Sequence, residues 1–399
     1  MKPTRIFLVF TALPAVAFLA ACGGGSSSST PAQTIAPSGG NVASITVNGG
    51  PTGNYVDASF TSVTVCVPGT ATCQTIDGVL VDTGSSGLRI LSSVLTIPLP
   101  QQTSGGNPVV ECFPFVSGYT WGPVQTADVE MASEKASSVP VQVLSDTDFT
   151  APASCTDNGT SSDTVESLGA NGIVGVGLFT QDCGSYCETV QTAAGSMNLY
   201  YECTSTTACQ PIGESLEQQV PNPVSLFATD NNGVVIELPT VSGGEEATVS
   251  GSLVFGIGTQ SNNALGGATV YTADPGGNFT TTYNGTANSA SFIDSGSNGY
   301  FFASSITACP STSNAPGFYC PSGVQNLSAT NQGANGASGT VNFSIANAEI
   351  LFNTPDFAYS DLGGTYSNGA FDWGLPFFFG RNVYTGLQSS TNPNGYWAY

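Results

Sequence analysis

The chain has 399 residues, 27 of them acidic against 5 basic, no histidine, and a formal net charge of −22. That balance excludes nucleic-acid binding, because nothing could neutralise the phosphates, and it excludes attraction to anionic lipid heads. The lack of histidine removes Ser-His-Asp and Cys-His nucleophiles, histidine general bases and histidine zinc sites, so any chemistry must run on carboxylates, hydroxyls, backbone amides or a hard cation.

Residues 1–21 place Lys2 and Arg5 ahead of an apolar run from Ile6 to Ala21, the order of a secretory signal and short for a membrane span. The run ends Leu19-Ala20-Ala21-Cys22, which resembles the lipobox of bacterial lipoproteins. That resemblance implies cleavage before Cys22 and its lipidation. With Gly23 next, it implies an outer-membrane destination, facing the periplasm or the cell surface. Residues 22–41, rich in Gly, Ser, Pro and Thr, read as the lipidated Cys and a disordered tether. Membrane contact is expected through the lipid, since the mature chain keeps only Arg89, Lys135 and Arg381 as bases.

From Val42 onward the texture is all-β. Strands are expected over Ser44–Val47, Ser59–Val65, Gln74–Asp82 and Val139–Leu144, where Val, Ile, Thr and Phe are bounded by turn residues. The 49 Gly and 24 Pro suit a chain with many turns. Two short helices are expected at Glu188–Tyr201 and Pro211–Val220. The ordered length is too great for one sandwich and predicts two β lobes sharing a cleft, at 42–245 and 246–399. The chain is expected to be a monomer.

Without Cys22, ten cysteines remain in an exported chain, an even number that points to disulfides. Cys66 with Cys73, Cys203 with Cys209, and Cys309 with Cys320 are near enough in sequence to close short loops. Cys112, Cys155, Cys183 and Cys187 remain without an assigned pairing. Metal binding through Cys183 and Cys187 ranks well below a disulfide in a chain without histidine, and no metal or cofactor is expected. Asp157-Asn158-Gly159 and Asp230-Asn231-Asn232-Gly233 read as turns, since neither completes a calcium loop.

One motif occurs twice. Val79–Ile90 reads Val-Leu-Val-Asp-Thr-Gly-Ser-Ser-Gly-Leu-Arg-Ile, and Ser291–Phe302 reads Ser-Phe-Ile-Asp-Ser-Gly-Ser-Asn-Gly-Tyr-Phe-Phe. Each copy is followed downstream by an apolar stretch ending in Gly, namely Ile173-Val174-Gly175 and Asp372-Trp373-Gly374. The repeat predicts a duplicated lobe and a pair of carboxylates, Asp82 and Asp294.

These islands resemble the pepsin-like aspartic peptidases, from about Asn54 to the C-terminus. Asn54–Val65 looks like the first hairpin, Gly251–Gly256 like the strand opening the second lobe, and Phe377–Leu387 like the closing strands. The chain also resembles bacterial lipoproteins of unknown function that carry such a domain. The resemblance implies an all-β, bilobal fold with a pseudo-twofold axis and a central cleft. It implies Asp82 and Asp294 as catalytic, with Thr83 and Ser295 bonding across the lobe junction. Ser85 and Ser297 would then support the outer carboxylate oxygens, and Gly84 and Gly296 would let the backbones approach. A flap is expected within Phe113–Met131, with Phe115, Tyr119 and Trp121 as candidates. The chain departs from the family in carrying Gly87 and Gly299 where a larger residue is usual, Arg89 where a Trp is common, and no Tyr-Gly pair in the flap.

Two carboxyls held close cannot both ionise easily, so one keeps a proton while the other stays charged. A water between them can be deprotonated by the charged member and attack a carbonyl that the protonated member polarises. This chemistry needs none of the residues the chain lacks. The expected activity is a lipid-anchored aspartic endopeptidase acting on peptide or protein substrates. The alternative is an inactive, peptidase-like binding or inhibitory surface lipoprotein. A two-carboxylate glycosidase is less favoured, because it gives no reason for the duplicated loops.

Overall fold

The computed structural model describes residues 35–36, 38–144, 148–193, 196–366 and 369–399. The expected signal segment 1–21, Cys22 and most of the 22–41 tether lie outside the described residues.

The strand Cys73–Asp82 ends in the apolar run Val79-Leu80-Val81, buried throughout. Burial on both faces is what a continuous apolar run, rather than an alternating one, specifies in a parallel pairing. Its parallel partner is Gly172–Val176, with Leu80 opposite Ile173 and Asp82 opposite Gly175. Past the Asp82 loop the chain returns as Ser86–Leu91, antiparallel to that same strand, with Gly87 opposite Gly175. Gly172–Val176 therefore threads the loop between its two arms. The second half repeats this arrangement. Thr286–Ile293 runs parallel to Phe371–Trp373, with Ile293 opposite Trp373, and Tyr300–Phe302 returns antiparallel to it, with Tyr300 opposite Trp373.

Below the two loops the halves share strands. Val42–Val47 pairs along its length with Val249–Phe255, which pairs with Gly233–Leu238, itself paired with Arg381–Gly386. Among the described residues the strands form one sheet of sixteen, one of seven and a short pair, with helix confined to single turns. The main core runs continuously from Val79, Val81 and Val174 through Ile236 and Leu253 to Phe371 and Trp373. Around the second loop it is aromatic: Phe371 stacks on Phe302 at 4.6 Å and on Trp373 at 4.2 Å, and Trp373 Nε1 donates to Thr281 Oγ1 at 3.0 Å. The fold is all-β, and its two halves repeat one threaded-loop arrangement.

Five disulfides close as Cys66–Cys73, Cys112–Cys155, Cys183–Cys187, Cys203–Cys209 and Cys309–Cys320. The two pairings left open by sequence are thus a 43-residue and a 4-residue separation.

Neither expected helix forms among the described residues. Gly184–Glu188 is a 3-10 turn, and Tyr200–Ser205 is a strand paired with Asn107–Phe115. Between them the Asn198 side chain bonds both the amide and the carbonyl of Gln191 at 2.8 and 3.0 Å, competing with helical pairing. Over 211–220, Gly213 lies so close to the Glu188 carbonyl that a Cβ would sit 2.4 Å from its oxygen. There Gln219 Nε2 satisfies the Glu214 and Gly184 carbonyls at 2.9 Å each, where a helix would use its own amides. Long-range partners overrode local propensity in both segments.

Candidate active site

The two threaded loops meet with near-twofold symmetry. The Thr83 amide donates to Ser295 Oγ at 3.1 Å, and the Ser295 amide donates to Thr83 Oγ1 at 2.9 Å. Each hydroxyl then donates onward across the junction, Thr83 Oγ1 to the Ile293 carbonyl at 3.1 Å and Ser295 Oγ to the Val81 carbonyl at 2.7 Å. All four groups are buried, so each bond replaces an otherwise unsatisfied donor or acceptor.

This junction brings Asp82 and Asp294 within hydrogen-bonding reach of each other. The Gly84 amide donates to Asp82 Oδ1 at 2.8 Å, and the Gly296 amide donates to Asp294 Oδ1 at 2.7 Å. On the other oxygens, the Ser85 hydroxyl donates to Asp82 Oδ2, and Ser297 Oγ donates to Asp294 Oδ2 at 2.8 Å. The glycines cross over: a Cβ on Gly84 would lie 2.7 Å from Asp294 Cγ, and one on Gly296 would lie 2.7 Å from Asp82 Oδ1. Asp82 is buried, Asp294 half-buried and Gly84 exposed. A cavity beside the first loop is lined by Thr83, Ser85, Phe113, Asp182, Gly277 and Phe292.

Residues 37–399 match the family described as "Protein of unknown function (DUF3443)". The chain belongs to this family. Its structure is similar to the crystal structure of the aspartic proteinase from Irpex lacteus, with 16% identity and a TM-score of 0.49, over 90% of this chain and 96% of that one. No curated protein matches it in sequence.

Asp294 is held well above the usual carboxylate range, first by withdrawal from solvent, then by the charges of Asp82 and Asp372. The two carboxyls share one negative charge and titrate as a unit. Three further groups crowd the pair, none of them singled out as a site residue by the sequence motifs. Asp372, on the threading strand, is 3% exposed, and burial pushes it up to about 8. The Tyr55 hydroxyl is raised by burial and then by Asp294 and Asp82, and Tyr366 by burial and then by Asp372 and Asp294. Only Asp372 carried a signal, as an acid inside an otherwise apolar run.

The hairpin expected to carry the flap is Asn107–Phe115 followed by Gly118–Met131, and Val116 at its tip is exposed. Phe115 lies beside Phe113, ring centroids 5.1 Å apart. Tyr119 and Trp121 instead lie in a separate cluster around Cys112 and Cys155, where Trp121 meets the Tyr201 ring at 5.4 Å.

Arg89 is fully buried beneath this hairpin. It bridges Glu111 at 2.8 Å and Asp182 at 3.1 Å, donates to the Ser86 carbonyl at 2.8 Å, and stacks 3.8 Å from the Phe113 ring. Tyr200 completes the group, its hydroxyl donating to Asp182 and accepting the Val220 amide at 2.8 Å. One cation faces two carboxylates, and burial followed by the Glu111 charge raises Asp182 well above its usual range. Gly87, in the same arm as Arg89, has φ +106°, and a Cβ there would lie 2.5 Å from Val220 Cγ1. Its lack of a side chain is a conformational requirement.

Proposed function

We propose that the protein is an aspartic endopeptidase, anchored to the outer membrane through lipidated Cys22, in which Asp82 and Asp294 activate a water. The carrying observation is the crossed geometry of the two loops, which holds two carboxyls within hydrogen-bonding reach and gives each a backbone amide and a hydroxyl. The charged member of the pair accepts a proton from the water, and the protonated member donates its own to the oxygen of the scissile carbonyl as the water oxygen adds to the carbon. The resulting diol collapses when a proton reaches the amine leaving group, returning the pair to one shared proton. Each proton transfer of this kind contributes on the order of a hundredfold or more to the rate. The hairpin tip at Val116 and the residues Phe113 and Phe115 supply an apolar wall for an extended peptide. The lobe division at residues 42–245 and 246–399 follows from the same reading.

The test is cleavage of a denatured-protein or peptide library by the purified protein, from about pH 3 to about pH 7, with a statine-type inhibitor as competitor. Asp82→Asn and Asp294→Asn each abolish cleavage in this reading. Cleavage that survives either substitution, or none by the unaltered protein at any pH, overturns it.

A further inference from the structure

The two return arms differ at one register position. Arg89 lies opposite Ile173 of the first threading strand, and Phe301 lies opposite Asp372 of the second. Phe301 packs against Phe318 with ring centroids 5.6 Å apart, and Phe318 meets Phe352 at 5.2 Å. The threaded-loop arrangement thus accepts an apolar residue at this position. Arg89 instead buries a cation with Glu111 and Asp182, all three side chains fully enclosed. A buried ion group is often no more stabilising than apolar side chains of similar volume, but it does impose a geometry. Here the geometry imposed is that of the hairpin strand Asn107–Phe115.

Alternate residues of a strand share one side of it, and three from Asn107–Phe115 gather on the guanidinium. Glu111 accepts from Arg89 Nη2 at 2.8 Å, the Phe113 ring lies 3.8 Å from Cζ, and the Phe115 ring lies 5.9 Å from it. Nη2 also donates to Asp182 Oδ2 at 3.1 Å, while the Tyr200 hydroxyl donates to Asp182 Oδ1 at 2.8 Å. Nη1 donates to the Ser86 carbonyl at 2.8 Å, and Ser86 Oγ donates to the Phe179 carbonyl at 2.7 Å. Phe113 and Phe179 both line the cavity beside the first loop, together with Leu178, Phe292, Thr83 and Ser85. One guanidinium is therefore tied to two walls of that cavity. The cavity measures about 240 Å³, and no basic residue among the described residues lines it. An apolar cavity of roughly 150 Å³ is already enough to take up a benzene ring.

We propose that Arg89 is a positioning residue that locks Phe113 as one wall of this cavity, and so sets a preference for an aromatic side chain of the substrate beside the first loop. The proposal rests on the peptidase reading for the occupant and on the contacts of Arg89 for the wall. A guanidinium is planar: its face covers the Phe113 ring while its nitrogens donate to two carboxylates and a carbonyl. Ring and strand are thereby held in one orientation before any substrate arrives. An aromatic side chain then meets Phe113, Phe179 and Phe292 at once, without first having to order the wall. A lysine ammonium would keep the charge but has no face to lay on the ring. The second half has no counterpart, because Phe301 brings no donor.

The test uses peptide pairs that differ only in Phe or Ala at one position, scanned along the peptide, and the matching pairs of statine-type inhibitors. The proteins compared are the full-length chain in detergent, Arg89→Lys, and Arg89→Met with Glu111→Gln, in which one stranded charge is removed along with the cation. Phe113→Leu, which leaves the ion group whole, is the variant that decides if the Arg89 variants do not fold. In the unaltered chain kcat/KM favours Phe by about tenfold or more at one position, and the Phe inhibitor binds more tightly by a similar factor. In all three variants this preference falls several-fold, carried by a rise in KM for the Phe peptide and not by kcat. If Arg89 served the fold alone, both peptides would lose rate alike and their ratio would not move. A ratio unmoved in the variants, or an unaltered chain that separates Phe from Ala at no position, overturns the proposal. If nothing is cleaved, the inhibitor pairs decide by the same ratio. A preference lost in the variants then keeps the positioning role while the peptidase reading falls, and a preference unmoved or absent removes both.

Discussion

Thr83 and Ser295 exchange bonds: each backbone amide donates to the other residue's hydroxyl, at 3.1 and 2.9 Å, across 212 residues of sequence. Thr83→Val keeps the shape but leaves the Ser295 amide and the Ile293 carbonyl buried without partners. A loss of about 2–4 kcal/mol in unfolding free energy follows. Ser295→Ala strands the Thr83 amide and the Val81 carbonyl similarly. Because the bonds form one ring, the double variant loses less than the sum, which a denaturant double-mutant cycle measures. Additive losses would mean that the ring is not a unit.

Gly84→Ala acts on the opposite lobe. Its added methyl would lie 2.7–2.8 Å from the carboxyl atoms of Asp294, so that carboxyl must shift. The backbone itself is compatible with alanine, and the position is exposed, so stability changes by about 1 kcal/mol or less. Activity falls by about a hundredfold or more, because displaced reacting groups lose near-attack geometry. A variant that cleaves normally would show that the carboxyl positions matter less than argued.

The loops were legible in the sequence because each is a contiguous signal: an apolar run into Asp-[Ser/Thr]-Gly, echoed by a second run ending in Gly. What surrounds them was not. Arg89 finds Glu111 and Asp182 at 22 and 93 residues' distance, and no local pattern announces such a meeting. Tyr55, buried and raised by the charges of Asp294 and Asp82, comes from a stretch with no motif of its own. Cys112 and Cys155 could be paired only once the hairpin was in place. The segments 188–201 and 211–220 looked helical, yet Tyr200 and Tyr201 pair with Glu111 and Val110 of a distant strand, and the Asn198 and Gln219 side chains take backbone groups of Gln191 and Glu214 that a helix would pair. The two Asp-bearing loops were read from local chemistry, while their supports depend on tertiary partners.

Arg89→Met removes the only cation from a buried group of two acids. The loss is about 3–5 kcal/mol at neutral pH, mostly from Glu111 and Asp182 left uncompensated. The stacking on Phe113 is also lost, so the hairpin loosens, and amides of Asn107–Phe115 exchange faster. Adding Glu111→Gln recovers much of the stability, because it removes one of the stranded charges. Hydrogen exchange and denaturant unfolding of the single and double variants check this, and no recovery in the double variant would count against it.

The buried acids also set how stability varies with pH. Asp372 is raised to about 8, Glu214 to about 7 and Asp361 to about 6, in each case first by burial, and Asp57 and Asp294 are raised well above their usual range. Unfolded, these groups release their protons near pH 4. Between about pH 4 and about pH 8 the folded state therefore binds more protons than the unfolded one, and stability falls as pH rises. The contribution is complete below the unfolded values and is lost as pH passes through the folded ones. Asp128 opposes the trend: its burial is outweighed by bonds from the Ser138 amide, Lys135 and the Gly69 amide, so it is lowered and favours higher pH. Burial raises Glu134, Asp182 and Glu237 as well, so one lowered carboxyl leaves the sign unchanged. The melting temperature should be higher at about pH 4.5 than at about pH 7.5, and Asp372→Asn should flatten the slope above about pH 6. A melting temperature that rises across this interval would mean that the buried carboxyls are ionised in the folded protein.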